Sequence, residues 1–269
     1  MKVLFEYSDG CQKHINQDVY GYTQNIFWVI DGATDIFNSN LLSSSGDVYW
    51  VVQQLNRALH NGNTSVSLKE YVRSAISEVR DHAIALAPTI MEIPENQLPT
   101  YSICCVRYNE GFLEYLFLGD CSFFSSSFPS VRYTDERIYP FHIQVNQVKE
   151  CFINDLDRYH AEVLKKVREI KQYINVEHGY WIGTMNPDIV GHAICGKLRV
   201  SLGERIVLCS DGFRPNIDEA NLVSFMPSDI FNLQKLRQII DQQNASEVDY
   251  LSRVGIDISD DKTILLLEV

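Results

Sequence analysis

Apolar runs that lead to an acidic residue are the clearest pattern along this chain. Three runs rich in β-branched and aromatic residues end next to a glycine, at Asp31, Asp120 and Asp211. Each run predicts a strand of a core, with the acid at the C-terminal tip of its strand. An ionised carboxylate beside a dry core is costly unless a cation or several donors satisfy it. We therefore interpret the three aspartates as parts of one metal site.

Other apolar or alternating segments predict further strands, at 1–7, 19–22, 101–108, 112–118, 122–126, 197–201 and 263–269. We expect the strands from the N-terminus to Asp31 to form an antiparallel meander. We also expect the segments at 197–201 and 205–209 to pair through a turn at 202–204.

Helical spacing of apolar residues predicts helices, at 48–59, 68–79, 146–175, 229–241 and 247–253. The first two have one apolar stripe each and should lie on one face of a sheet. The segment at 146–175 alternates apolar steps of four and three, which allows packing on the parent domain or a seam for a partner helix. We favour packing on the domain. Blocks of strands and helices without a linker predict one α+β domain over 1–269 with antiparallel sheets.

Composition narrows the classes of function. Hydrophobic residues make up 45% of the 269 residues, which allows a sizeable core, and no signal peptide or membrane span is expected. The formal net charge of −12 argues against a nucleic-acid partner, because phosphate backbones require clustered Lys and Arg. The seven cysteines lack Cys-x-x-Cys spacing, which favours reduced thiols in a cytoplasmic protein.

The short acidic motifs, taken in order, resemble those of a known family. They are Asn16-Gln17-Asp18, Asp31-Gly32, Pro99-Thr100-Tyr101-Ser102, Gly119-Asp120, Ser210-Asp211-Gly212 and Asp260-Asp261-Lys262-Thr263. This order resembles the metal-dependent serine/threonine protein phosphatases of the PPM (type 2C) family. The resemblance implies a four-layer α-β-β-α sandwich of two antiparallel sheets flanked by helices, with the metal site at one edge of the sheets. A long helical insertion at about 140–178 has no counterpart in these motifs, and we expect it to border the cleft and to influence substrate choice.

The resemblance implies two Mg²⁺ or Mn²⁺ ions and assigns their ligands. Asp31 would bridge both ions, the Gly32 carbonyl would bind one of them, and Asp211 and Asp260 would complete the second. Asp120, with Asp211, would support a weaker third ion. Carboxylate and carbonyl oxygens suit these hard cations, and two such ions can activate a water for direct attack on phosphorus.

The same resemblance makes Asp31, Asp211 and Asp18 the predicted catalytic residues, with Asp18 orienting metal-bound waters from outside the ligand set. Lys13 stands where the family has a phosphate-gripping arginine, and it supplies the charge without the bidentate fork.

Two other departures concern charge and proton transfer. Gln17 replaces the usual glutamate of its motif and removes one negative charge near the metals. Ala33 stands where many eukaryotic members carry a histidine proposed as general acid. Protonation of the leaving group would then fall to a metal-bound water or to His14.

The sequence thus predicts a cytoplasmic phosphatase that hydrolyses phosphoserine or phosphothreonine in proteins, with a phosphorylated protein as partner and neither nucleic acid nor membrane. The alternative is a catalytically weak protein of the same fold that binds a phosphoprotein or another partner, with the 146–175 segment as one contact surface. Hydrolysis of a small phosphorylated metabolite is a third interpretation.

Overall fold

Two antiparallel sheets form the centre of the computed structural model, which describes residues 1–11, 15–33, 35–37, 40–213 and 226–269. The first sheet has the strand order β1-β10-β9-β6-β7. Its strands are β1 (Lys2–Asp9), β6 (Ser122–Ser125), β7 (Phe128–Tyr133), β9 (Arg205–Cys209) and β10 (Lys262–Glu268). The second sheet has the order β2-β3-β4-β5-β8. Its strands are β2 (Val19–Tyr22), β3 (Ile26–Gly32), β4 (Tyr101–Asn109), β5 (Phe112–Leu118) and β8 (Ile194–Arg199).

The two sheets pack face to face. One buried cluster contains Phe27 and Val29 of β3 together with Phe123 of β6 and Leu265 of β10. The alternate residues of β3, such as Trp28, face the other way into a second cluster. Because side chains alternate across a strand, β3 is buried on both faces, as its continuous apolar run predicts.

Three helices cover the outer faces of the sheets. Helices α1 (Asp47–Asn61) and α2 (Leu68–Leu86) pack on the second sheet. Helix α5 (Leu233–Val254) packs on the first sheet through Leu236, Ile239 and Ile240. The result is an α-β-β-α sandwich, which confirms the predicted fold class.

Two predicted strand pairings are wrong. Strand β8 pairs with β5, while β9 pairs with β10 and β6, so the turn at 202–204 joins the two sheets rather than a hairpin. Strand β1 pairs with β10 and not with β2, so the N-terminal strands do not form a meander. In both cases a local pattern identified the strands but not their partners, because pairing between strands far apart in the chain is set by the tertiary fold.

The insertion, defined as residues 134–193 between β7 and β8, contains helices α3 (Tyr139–Phe152) and α4 (Leu156–Ile170). The sequence predicts one continuous helical segment over 146–175 instead. The two helices separate where the side chain of Asp155 accepts the N–H of Arg158 and caps α4. Conversely, α5 is one helix where two are predicted. No helix among the described residues has the length and apolar character needed to cross a membrane.

Candidate functional site

Three aspartates from separate parts of the sandwich meet at one edge of the packed sheets. Carboxylate oxygens of Asp31, Asp120 and Asp211 lie within 4.8 Å of one another. The backbone N–H of Asp211 also donates to Asp31 Oδ2 at 3.4 Å. Asp31 lies at the end of β3, Asp120 follows β5, and Asp211 follows β9. The convergence that the sequence pattern predicts is therefore present.

The backbone of Gly32 is closely approached from two sides. A Cβ at this position would lie 2.8 Å from the Gln17 carbonyl oxygen and 2.8 Å from a methyl carbon of Val48. Since Cβ atoms do not come so close to such neighbours, glycine is required here. The peptide following Asp31 is thereby fixed, and so is the direction in which the strand presents its acid.

Asp120 is held by a turn and a hydroxyl. Gly119 has a φ of 77°, a left-handed conformation that glycine adopts without strain. A Cβ on it would overlap Ser102 Oγ. That hydroxyl donates to Asp120 Oδ1 at 2.6 Å and accepts from the Asp120 N–H at 3.2 Å. Ser102 therefore fixes one oxygen of the carboxylate and leaves Oδ2 to face the site, a role that the sequence analysis did not assign.

The loop after β9 is tied to the last strand and to α5. Ser210 Oγ accepts the backbone N–H of Thr263 at 2.9 Å, and Gln243 of α5 donates to the Gly212 carbonyl at 2.6 Å. A Cβ on Gly212 would overlap the carbonyl oxygen of Asp261. These contacts place Asp211 and the segment at 260–261 side by side.

Asp260 and Asp261 have different roles in the structure. The Asp261 carboxylate accepts the backbone N–H groups of Cys11 at 2.8 Å and Gln17 at 2.7 Å, so it anchors the segment that leads to β2. Asp260 lies beside Gly212 but outside the group of three close carboxylates. It is still near enough for its charge to raise the pKa of both Asp18 and Asp31.

Closely spaced and partly buried negative charge dominates the electrostatics of this edge. Burial, followed by the charges of Asp18, Asp211, Asp120 and Asp260, raises the pKa of Asp31 well above its usual range. Burial likewise raises the pKa of Asp18, and a hydrogen bond with Ser210 opposes this rise.

The surroundings of Asp18 are the most direct indication that this edge of the sheets binds a cation. It is only 4% exposed, and its Oδ2 has no hydrogen-bond partner in the described part of the chain. A buried carboxylate oxygen without a donor is costly, and a cation satisfies such an oxygen. The donors gathered here are carboxylates, as Mg²⁺ and Mn²⁺ prefer, so the residues present fit the expected metals.

The structure describes only some of the residues that bear on the expected differences from the family pattern. Lys13 and His14 lie outside the described residues. Gln17 is buried, and its side-chain Oε1 finds no hydrogen-bond partner among the residues described. Ala33 packs against an apolar cluster of the insertion, so the position that many family members give to a histidine is here an apolar contact.

One polar residue near the site was missed by the sequence analysis. Nε2 of His142, on α3 of the insertion, lies 3.5 Å from Asp120 Oδ2. His142 is 22 positions from Asp120 along the chain and belongs to none of the motifs. Only the docking of the insertion brings the two together, so no sequence signal could have identified it.

Neither a family model nor a curated protein matches the sequence. Solved structures do match over nearly the whole chain. One is described as the PPM Ser-Thr phosphatase MsPP from Mycobacterium smegmatis in complex with cacodylate, with 14% identity, a TM-score of 0.57 and 100% of both chains covered. The fold is that of the PPM phosphatases.

Two further structures extend this likeness. The catalytic domain of the serine/threonine phosphatase PstP, in complex with two manganese ions, has 11% identity and a TM-score of 0.55, with 97% of this chain and 96% of that chain covered. PppA, described as a key regulatory component of T6SS in Pseudomonas aeruginosa, has 14% identity and a TM-score of 0.58, with 98% and 96% covered. At these identities the likeness is one of fold. What the acid cluster of this PPM-like sandwich can bind follows from its own residues.

Proposed function

We propose that this protein is a divergent PPM-type phosphatase that hydrolyses phosphoserine and phosphothreonine in proteins with the help of Mg²⁺ or Mn²⁺. The observation that carries the proposal is the meeting of Asp31, Asp120 and Asp211 within 4.8 Å at the edge of a PPM-like sandwich. The solved phosphatases of the same fold support it.

Two ions would be held by Asp31, the Gly32 carbonyl, Asp211 and Asp260, and a third by Asp120 with Asp211. When bound, such ions would supply positive charge that lowers the pKa of a water at the site and neutralises the phosphoryl oxygens.

The remaining residues of the site position these groups. Ser102 holds the Asp120 carboxylate through the hydrogen bond to Oδ1, and Ser210 hydrogen-bonds to Asp18. Asp261 fixes the backbone N–H groups of Cys11 and Gln17, two described residues that precede and follow Lys13 in the sequence. We retain Lys13 as the residue proposed to bind the substrate phosphate. Its ammonium group would attract a phosphate dianion towards an otherwise acidic edge.

A catalytically weak protein that binds a phosphoprotein or partner through this fold is the second candidate. Two observations favour it: Gln17 brings a neutral side chain into the buried edge, and Ala33 packs on the insertion instead of presenting a proton donor. PppA, of the same fold, is described as a regulatory component.

Hydrolysis of p-nitrophenyl phosphate and of a phosphoserine and phosphothreonine peptide panel separates the two candidates. We expect turnover with Mn²⁺ that a chelator abolishes, that Asp211→Asn removes, and that Asp188→Asn, a change of the same kind at an exposed residue, leaves intact. Turnover of p-nitrophenyl phosphate without any phosphopeptide would point to small phosphorylated metabolites. Absence of turnover at every Mn²⁺ concentration, with the protein folded, overturns the enzyme and favours the binding protein.

A further inference from the structure

A groove lies between the start of α2 and strands β5 and β8 of the second sheet. Its volume is about 330 Å³, which is room for roughly ten waters at about 30 Å³ each. Ser67 and Lys69 line it from the helix, and Glu114, Cys195 and Lys197 line it from the two strands. The groove is therefore large enough for a small polar ligand and its hydration.

The groove is at the opposite end of the second sheet from the acid cluster. Arg107 of β4 pairs with Ile26 at the start of β3, whereas Asp31 lies five residues further along that strand. Five residues of extended strand span about 17 Å. Along the same row across the sheet, Arg107 lies opposite Glu114, and Glu114 lies opposite Lys197. A ligand of the groove is thus well separated from the acids.

A buried arginine with unused donors adjoins the groove. Arg107 is only 9% exposed, and its Nε and Nη2 have no hydrogen-bond partner in the described part of the chain. Its Nη1 donates to the neutral carbonyl of Val66 at 2.7 Å, and Val66 directly precedes Ser67 in the wall of the groove. Since Cys105, two residues earlier on β4, packs in the cluster beneath α2, Arg107 is on the same face of the sheet. A buried charge without a hydrogen-bonded counter-charge is costly, so this position favours a nearby anion.

The start of α2 offers backbone donors to the groove. Ser67 caps the helix by accepting the N–H of Glu70. The N–H groups of Leu68 and Lys69 form no backbone hydrogen bond among the residues described, as is usual in a first helical turn. Unsatisfied N–H groups and the positive end of the helix dipole make such a terminus suited to anions.

The side chains of the groove add positive charge. Burial raises the pKa of the Cys195 thiol, and the charge of Lys69 opposes this rise, so the Lys69 ammonium group acts across the groove on β8. Lys197 Nζ lies 3.8 Å from Glu114 Oε1, too far for a hydrogen bond. Glu114 is the only acid among the residues that line the groove, against two lysines and the adjoining arginine. This local excess of positive charge contrasts with the net charge of −12 of the whole chain.

We propose that this groove binds a phosphate group, held by the backbone N–H groups of Leu68 and Lys69 and by the ammonium groups of Lys69 and Lys197. The charge of Arg107, behind the wall of the groove, adds to the attraction. Phosphate oxygens form their strongest hydrogen bonds with such charged and helix-terminal donors. Inorganic phosphate and a phosphorylated side chain of another protein present the same chemistry to these groups. The site makes no use of the acid cluster, so the inference does not depend on the proposed function.

Titration of the whole, chelator-treated chain with inorganic phosphate, and separately with a phosphoserine peptide, tests the site. We expect saturable changes in the amide chemical shifts of residues 68 and 69. Lys69→Gln and Lys197→Gln should each weaken binding about tenfold, as loss of a hydrogen bond between charged groups does. Lys2→Gln, a change of the same kind at an exposed lysine of β1, should leave binding unaltered. Arg107→Met removes the buried charge and should also weaken binding.

The two probes identify the source of the phosphate. Tighter binding of the phosphoserine peptide than of inorganic phosphate indicates a phosphorylated protein, and equal binding indicates free phosphate. Absence of saturable shifts at residues 68 and 69 with both probes overturns the inference, as does equal weakening by Lys2→Gln and by the two groove variants. If Arg107→Met does not fold, the lysine variants decide. Because the protein is free of metal, each of these results leaves the metal-dependent hydrolysis to its own test.

Discussion

The sandwich and the insertion hold their parts of the site in different ways. Most residues of β3, β4 and β10 are buried, and the acids stand at or near the ends of such strands. In the insertion, α3 has no buried residue, and α4 has only Tyr159 and Ile170. Its own apolar cluster consists of Ile138, Ile170, Ile174, Tyr180 and Ile182. The acids are thus fixed by a large core, and His142 by a small one.

This difference is explained by the electrostatic cost of bringing the carboxylates together. Carboxylates of like charge repel one another and lose hydration on burial, so they stay together only on a framework that does not yield. The helices α3 and α4 of the insertion carry no such burden, whereas the part of the insertion that follows them is anchored by Met185, Ile189 and Val190, which are buried in the core of the second sheet.

The largest effect expected is on stability, from one aromatic residue in each region. Phe123 is fully buried between the sheets, with its ring stacked 4.5 Å from that of Tyr133. Phe123→Ala should lower the free energy of unfolding by about 3–5 kcal/mol, as large-to-small changes in cores do. Phe141→Ala should cost far less globally and should increase amide hydrogen exchange mainly within the insertion, because stability varies between cooperative units.

Chemical denaturation followed by hydrogen exchange measures both quantities. If Phe141→Ala lowers the global free energy of unfolding as much as Phe123→Ala does, the insertion is part of the same cooperative unit as the sandwich. The contrast between the two regions is then wrong.

The second-largest effect is expected at Asp18, where one substitution should weaken metal binding without lowering the stability of the metal-free protein. Asp18→Asn removes a buried carboxylate whose pKa is raised chiefly by burial and further by the acids around it. We expect the melting temperature of the metal-free protein to stay the same or rise, and Mn²⁺ affinity to fall by about 10–100-fold, as with other groups that support a metal.

Thermal melts with and without Mn²⁺ test this pair of effects, with Asp188→Asn as the exposed control. A metal-free Asp18→Asn protein that is clearly less stable, with unchanged stabilisation by Mn²⁺, would show that Asp18 is a structural residue of the core.

The same contrast explains how far the sequence could predict the molecule. Long buried runs identify the strands of the sandwich, and because Asp31 and Asp211 end such runs their convergence could be expected. The turn at 202–204 could not be resolved, since a short connection fits a hairpin and a crossing between packed sheets equally well. The observed pairing of β8 with β5, and of β9 with β10 and β6, distinguishes the two.

The insertion was less predictable for a related reason. Its helices are mostly exposed, so their apolar spacing is a poor guide to where each begins and ends, and the break at Asp155 depends on a local cap. His142 reaches Asp120 through tertiary docking alone. The contact between His142 and Asp120 therefore could not be predicted from the sequence.

The smallest effect concerns the hydroxyl of Ser102, which belongs to the sandwich and orients an aspartate of the proposed metal site. Ser102→Ala removes the hydrogen bond of 2.6 Å to Asp120 Oδ1, which should cost about 1.5–3 kcal/mol of stability in the metal-free protein as a bond to a charged group. Freed from this bond, Asp120 can rotate, and Mn²⁺ affinity should fall about tenfold. The matched control is Ser122→Ala, which removes a buried hydroxyl that contacts the Cys209 sulfur at 3.4 Å and, among the residues that the structure describes, hydrogen-bonds to no acid. Equal losses of Mn²⁺ affinity in the two variants, measured by calorimetry, would mean that Ser102 acts through general packing of the sandwich and not by orienting Asp120.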